Sequence, residues 1–142
     1  MYSKKVMEHF NHPKNMGKID CPDGVGKVGN IICGDVMHLY IKVGKNDVIE
    51  DIKYETFGCV AAISSSSMIT EMVKGKTIVE ALKIEKNSII DSLEGLPKAK
   101  IHCSVLAIDA LSESIYDYLK KNKRDIPDFL EKRHKIIVKN SR

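Results

Sequence analysis

The sequence predicts an α+β protein in which helices pack on one face of a small three-stranded antiparallel sheet. In the first half, VMHLYIKV (36–43) alternates apolar and polar residues, which is typical of a half-buried strand. In the second half, four apolar residues recur at every fourth position and form one helix stripe: Ala107, Leu111, Ile115 and Leu119. Strands followed by helices favour an α+β fold.

The first half of the chain supplies the sheet. Residues 3–11 are predicted to form a short amphipathic helix, which Pro13 and Gly17 end. The strand at 36–43 leads through the turn sequence GKND into a returning strand that ends near residue 57. The glycine-rich stretch around residues 26–31 is predicted to add the third strand.

The second half supplies the helices. Residues 59–74 have helical spacing and end at Gly75. Two short helices are predicted next, in TIVEALKI and in NSIIDSLEGL, the second capped by Asn87 or Ser88. After the long helix with the apolar stripe, the segment from about 120 to 142 is predicted to form a basic C-terminal helix that begins near Pro127.

Size and composition indicate one compact domain, residues 1–142. The net charge is +4, but residues 120–142 contain nine Lys or Arg and three Asp or Glu, so this tail carries +6 and the rest −2. The tail is either a solvated helix face or a surface for an acidic protein partner. The sequence has no Trp and few other aromatic residues, which argues against nucleic-acid binding.

The location predicted from the sequence is the cytoplasm. Apolar runs are too short for a membrane span, and the N-terminus lacks the apolar core of a signal peptide. Four cysteines in a reducing compartment are more typical of metal ligands or reactive thiols than of disulfides.

The sequence GVGKVG (24–29) matches the GxGxxG fingerprint of dinucleotide-binding loops in its letters only. Such a loop needs a strand before the first glycine and a helix after the third. Here a turn sequence precedes the glycines and a strand follows them. The glycines are therefore expected to permit tight turns and close approach of the backbone.

Three cysteines lie at boundaries between predicted elements. Cys33 precedes the long strand, whereas Cys59 and Cys103 each open a helix, where free N–H groups lower a thiol pKa. Asp35 and His102 lie beside them. Three thiolates with one Asp or His would suit zinc or an iron–sulfur cluster. The spacing alone equally permits three small cysteines in the core.

Three segments resemble the cysteine motifs of the IscU/NifU-type iron–sulfur cluster assembly scaffolds. They are GNIICGDVMHLYIKV, FGCVAAISSSSMITEMVKGK and KIHCSVLAIDAL, and YSKKVMEHFNHPKNMG matches the family's opening. The resemblance implies an α+β scaffold that builds a [2Fe–2S] cluster from iron and passes it to apo-proteins. It carries over Cys33, Asp35, Cys59 and Cys103 as ligand positions and His102 as a further ligand position, in a site that zinc can also occupy.

The resemblance also implies partners. A cysteine desulfurase would deliver sulfur as a persulfide, and Cys103 would be its main acceptor. A ferredoxin-type electron donor would then reduce this sulfur to sulfide. The chain would be a carrier and not a turnover enzyme. Tyr2 matches a position linked to homodimer formation. No membrane partner is implied.

Two departures from the family pattern stand out. The family's Leu-Pro-Pro-Val-Lys is replaced by Leu96-Pro97-Lys98-Ala99-Lys100, which argues against recognition by a dedicated Hsp70-type chaperone. Cys21 is an extra thiol that is either inert, an alternative ligand or an oxidation site.

The alternative function is that of a zinc-bound SufU-like sulfur acceptor. Those relatives carry an insertion between the second and third ligand segments. This chain has only 43 residues between Cys59 and Cys103. His9 and His12 flank a helix end and are predicted to be surface residues.

Overall fold

The computed structural model describes residues 2–29 and 34–140. It confirms the predicted α+β fold, a three-stranded antiparallel sheet with helices. The elements follow one another along the chain: α1 (Lys4–Asn11), β1 (Gly24–Gly29), β2 (Val36–Val43), β3 (Ile49–Phe57), α2 (Val60–Val73), α3 (Ile78–Leu82), α4 (Lys86–Ser92), α5 (Ile101–Lys121) and α6 (Asp128–Asn140). Short 3₁₀ turns occupy Lys45–Asp47 and Lys98–Lys100.

The sheet has the order β1-β2-β3, and both pairs are antiparallel. In this register Leu39 lies between Gly26 and Tyr54, and Val36 pairs with Phe57. The alternating residues Met37, Leu39 and Ile41 are fully buried, because β2 packs against α5; the Met37 sulfur also accepts a hydrogen bond from Ser66 of α2. The start of β2 and the end of β3 consequently lie together at one end of the sheet.

Gly24 and Gly26 of GVGKVG are covered by α5 and not by a loop that could hold a nucleotide. A Cβ at Gly24 would overlap the carbonyl oxygen of Ser114, and one at Gly26 would overlap that of Ala110. Residues two apart in a strand share a face, so both glycines let the long helix lie directly against β1. The sequence argument against a dinucleotide loop is consistent with this packing.

Several element boundaries differ from the predictions. The strand predicted around residues 26–31 runs from Gly24 to Gly29, and residues 30–31 lie outside the described ranges. Helix α4 starts at Lys86 with Glu85 as its cap residue, so Asn87 and Ser88 lie in its first turn. The basic segment from about 120 is the end of α5, a turn and the separate helix α6.

His9 is buried, contrary to its predicted surface position. Its side chain is 4% exposed, and its Nδ1 lies 2.7 Å from the Ser67 hydroxyl. Four consecutive small residues, Ser64 to Ser67, are fully buried in α2 and let α1 approach closely. Burial is the main cause that lowers the pKa of His9, so the ring is neutral near neutral pH.

No helix within residues 2–29 and 34–140 has both the length and the apolar character needed to span a bilayer.

Candidate metal centre

Three elements bring the candidate ligands to one end of the molecule. Asp35 directly precedes β2, and Cys59 is the N-cap residue of α2, just after β3. The pairing of Val36 with Phe57 places these two segments side by side. Cys103 lies in the first turn of α5. Two strand ends and two helix starts therefore meet at one place.

The ligand atoms are close together. The Cys59 and Cys103 sulfurs are 3.5 Å apart, and the Asp35 Oδ2 is 3.7 Å and 3.6 Å from them. His102 Nε2 lies 3.6 Å from the Cys103 sulfur. Two thiolates bound to one tetrahedral metal at about 2.3 Å would be about 3.8 Å apart. The observed spacing thus fits a shared metal with little rearrangement.

Four of the five sequence-predicted site residues converge in this way: Asp35, Cys59, His102 and Cys103. Asp35, His102 and Cys103 present ligand atoms within 4.8 Å of one another. Cys33 lies outside the described residues, and its role as a ligand stays a prediction. It is two residues from Asp35 in sequence.

Gly58 provides the space for the Asp35 carboxylate. A Cβ at this position would lie 3.0 Å from Asp35 Oδ1 and 2.9 Å from the Cβ of Ala62. Any side chain here would press on the carboxylate. The Phe-Gly-Cys sequence therefore holds Cys59 and Asp35 close together.

The site is more buried than its position at helix starts suggested. Cys103 is fully buried, Asp35 is 5% exposed and Cys59 is half-buried. Burial is the main cause that raises the pKa of the Cys103 thiol, followed by Cys59 and the Asp35 carboxylate. The expectation that the helix start would lower the pKa of this thiol is not met, because burial acts in the opposite direction.

Lys100 is a site residue that the cysteine spacing did not reveal. The negative charge of Cys59 is the first cause that raises the pKa of the Lys100 ammonium, and Cys103 and Asp35 act in the same direction. In the sequence, Lys100 could have been recognised as a lysine three residues before Cys103.

Cys21 lies far from this site. Cys21 is exposed and has a positive φ of 54°. Its backbone carbonyl accepts a hydrogen bond from Lys42 Nζ. Lys42 is near the end of β2 opposite to Asp35, about 20 Å away at 3.3 Å per strand residue. Cys21 is thus not an alternative ligand in this arrangement.

Comparison with known proteins identifies the family and supports the fold. The family model of the NifU-like N-terminal domain matches residues 1–125. The chain belongs to the NifU-like N-terminal domain family. The match includes every candidate ligand and ends before α6.

Family members with curated names are similar over most of the chain. The iron-sulfur cluster assembly scaffold protein IscU 1 of Archaeoglobus fulgidus is 62% identical over 122 residues, which cover 86% of this chain and 79% of that protein. The scaffold protein IscU of Aquifex aeolicus is 48% identical over 136 residues, 92% of this chain and 87% of its own length.

Solved structures of similar proteins have the same fold. A putative iron-sulfur cluster assembly scaffold protein for the SUF system from Fervidobacterium islandicum has a TM-score of 0.67 and 27% identity, covering 80% of this chain and 96% of its own. A NifU-like N-terminal protein from Brucella abortus has a TM-score of 0.66 at 22% identity, covering 84% and 94% respectively, and supports the fold alone.

Proposed function

We propose that this chain is a scaffold on which a [2Fe–2S] cluster is assembled and from which it is passed to apo-proteins. The observation that carries the proposal is the convergence of Asp35, Cys59 and Cys103, whose ligand atoms lie 3.5–3.7 Å apart. The similarity to named IscU scaffolds supports it. The chain acts as a carrier located in the cytoplasm, and not as a turnover enzyme.

The proposed cluster ligands are Cys33, Asp35, Cys59 and Cys103, with His102 as the competing fourth ligand in place of Asp35. Thiolates are the ordinary ligands of iron–sulfur clusters. A carboxylate is a harder and weaker ligand for such a cluster. Asp35 therefore makes the site release its cargo more readily than a site with four thiolates.

The role of Asp35 is tested with Asp35→Ala. The variant should keep its cluster longer and transfer it more slowly to an apo-ferredoxin, by about tenfold if one weak ligand governs release. His102→Ala serves as the comparison. Faster transfer from Asp35→Ala than from the wild type would contradict the proposal for Asp35.

Sulfur would arrive from a cysteine desulfurase. The Cys103 thiolate attacks the outer sulfur of the donor's persulfide, a new S–S bond forms on Cys103, and the desulfurase cysteine leaves as a thiolate. Two electrons from a ferredoxin-type donor then cleave this bond and yield sulfide for the cluster. Because Cys103 is fully buried and burial raises the pKa of its thiol, the site must open before the thiolate can form and attack.

Half-buried Cys59 is the matched control for the acceptor role. Cys103→Ser should abolish persulfide loading by a desulfurase and cysteine, whereas Cys59→Ser should retain it. Mass spectrometry of the intact chain detects the added sulfur. Loading that survives in Cys103→Ser and disappears in Cys59→Ser would assign the role to Cys59.

The second candidate function is that of a zinc-bound sulfur acceptor, and the similarity to a SUF-system scaffold supports it. The same ligand set would hold zinc. Anaerobic reconstitution with iron, a desulfurase and cysteine separates the two functions. The scaffold should develop the visible spectrum of a [2Fe–2S] cluster, and Cys59→Ser should reduce its yield. Tight zinc binding without cluster formation would favour the second candidate.

The proposed partners are the desulfurase, the electron donor and apo iron–sulfur clients. A homodimer around a shared cluster is proposed on the basis of Tyr2. A dedicated Hsp70-type chaperone is not proposed, because Lys98 starts a 3₁₀ turn where the family pattern has a second proline.

A further inference from the structure

A groove runs along the outward side of α5, between α6 on one side and the segment from α3 to α4 on the other. It consists of two adjoining cavities of about 580 Å³ and 480 Å³. Both cavities are lined by Val105, Asp109, Phe129 and Arg133. Among the described candidate ligands, Asp35, Cys59, His102 and Cys103 do not line the groove.

Helix α6 runs antiparallel to α5 and forms one wall. Its early residue Glu131 meets Tyr116 at 3.4 Å, whereas Arg133 donates a hydrogen bond of 2.8 Å to Ser112 nearer the start of α5. The last turns of α6 therefore approach Val105, which is two residues after Cys103. The groove thus ends beside the start of α5, which carries the candidate metal centre.

Apolar side chains stand exposed in this groove. Val105 is 38% exposed, Phe129 50% and Ile136 60%. Leu130 and Ile137, the next residues along α6 after Phe129 and Ile136, are buried against the core. A contiguous patch of exposed apolar side chains is typical of a binding surface.

The rim of the groove is basic. Lys83 and Lys86 stand on the wall between α3 and α4, and Lys132 with Arg133 on α6, against the acidic residues Glu85 and Asp109. The Arg133 guanidinium lies 5.9 Å from the centre of the Phe129 ring. The whole segment of residues 120–142 carries +6. The charge of this surface therefore complements an acidic partner.

We propose that this groove binds an acidic amphipathic segment of a partner protein. One large apolar side chain of that segment lies between Val105, Phe129 and Ile136, and its carboxylates pair with Lys86 and Lys132. A second copy of this chain is disfavoured, because it carries a net charge of +4 and the same basic rim. A flat bilayer would not reach Val105 at the floor of a concave groove.

This surface goes beyond the proposed cluster chemistry, and its test needs neither iron nor sulfide. The probe is a fluorescein-labelled helical peptide that contains glutamates and one phenylalanine. Two matched probes replace the phenylalanine with alanine or the glutamates with lysines. Fluorescence anisotropy with the full-length chain should show saturable binding of the first probe, weakened about tenfold in each matched probe and by added salt.

The variants locate the binding surface. Ile136→Ala and Phe129→Ala should each weaken binding about tenfold, whereas Val79→Ala, an equally exposed apolar residue at 58%, should not change it. Lys132→Glu should weaken binding more than Lys135→Glu, which alters the net charge equally but lies outside the groove. Circular dichroism melts confirm that all the variants are folded.

Several outcomes would overturn the proposal. One is equal binding of the acidic and basic probes, and another is peptide binding that is insensitive to Phe129→Ala and Lys132→Glu. A third is self-association of the wild type that sedimentation shows to be lost in Phe129→Ala, because it would assign the groove to a second copy of this chain. Binding of anionic vesicles in preference to the acidic peptide would assign it to a membrane surface. None of these results depends on whether the chain assembles a cluster.

Discussion

Replacing Asp109 with asparagine should stabilise the protein at neutral pH. The Asp109 carboxyl is on α5 in the groove beside α6, and burial raises its pKa from 3.8 to about 6. Arg133 acts in the opposite direction but does not offset burial, and Glu113 raises the pKa further. Keeping this carboxylate charged therefore costs free energy in the folded state.

The sign and size follow from proton linkage. Between pH 3.8 and about 6 the folded state binds more protons at Asp109 than the unfolded chain, so the stability falls as the pH rises through this window. This loss in the free energy of unfolding is about 1 kcal/mol at about pH 4.5 and reaches about 3 kcal/mol at about pH 7.5. An asparagine side chain cannot ionise, so Asp109→Asn should gain up to these amounts.

Urea unfolding of both proteins at the two pH values measures this difference. Ionisable groups that do not interact with Asp109 are common to both proteins and cancel in the comparison. Asp125→Asn, at an exposed position, should change the free energy of unfolding by less than about 0.5 kcal/mol. A variant that is less stable than the wild type at neutral pH, or whose gain does not grow with pH, would refute the reasoning.

Two further substitutions test the packing that positions the site. Gly26→Ala should lower the free energy of unfolding by about 3 kcal/mol or more, because the new Cβ would overlap the backbone of α5. Gly29→Ala is the control and should lower it much less, because its Cβ would make only ordinary contacts. Equal losses in the two variants would contradict this account. Ser67→Ala should cost about 1–3 kcal/mol, because its Oγ accepts a hydrogen bond of 2.8 Å from the Lys14 N–H. Ser65→Ala is the control, since the Ser65 Oγ is buried without a hydrogen-bond partner within the described part of the chain. Amide exchange at Lys14 should accelerate in the first serine variant and not in the second.

The sheet and the long helix were predictable because their patterns are local. Met37, Leu39 and Ile41 alternate along one strand, and the whole set is buried on one face. The apolar stripe of α5 repeats every four residues and is buried throughout: Ala107, Leu111, Ile115 and Leu119. Each pattern lies within one element, so no knowledge of its neighbours was needed.

The burial of individual polar residues was not predictable, because it depends on contacts distant in sequence. His9 is buried where α1 packs on α2, and its ring forms a hydrogen bond with Ser67, a residue 58 positions away. Cys103 is buried with Ala61 and Ala62 from the start of α2. The sequence predicted which residue types would meet at the site. It did not predict that burial would raise the pKa of the Cys103 thiol.

Cluster transfer tests the central claim most directly. The chain is reconstituted anaerobically with a desulfurase, cysteine and iron, separated from the reagents and mixed with an apo-ferredoxin. The account predicts that the [2Fe–2S] signal leaves the scaffold and appears in the ferredoxin in equal amount, without release of free iron to a chelator. A cluster that never forms, or one that stays on the chain while the ferredoxin remains empty, would contradict it.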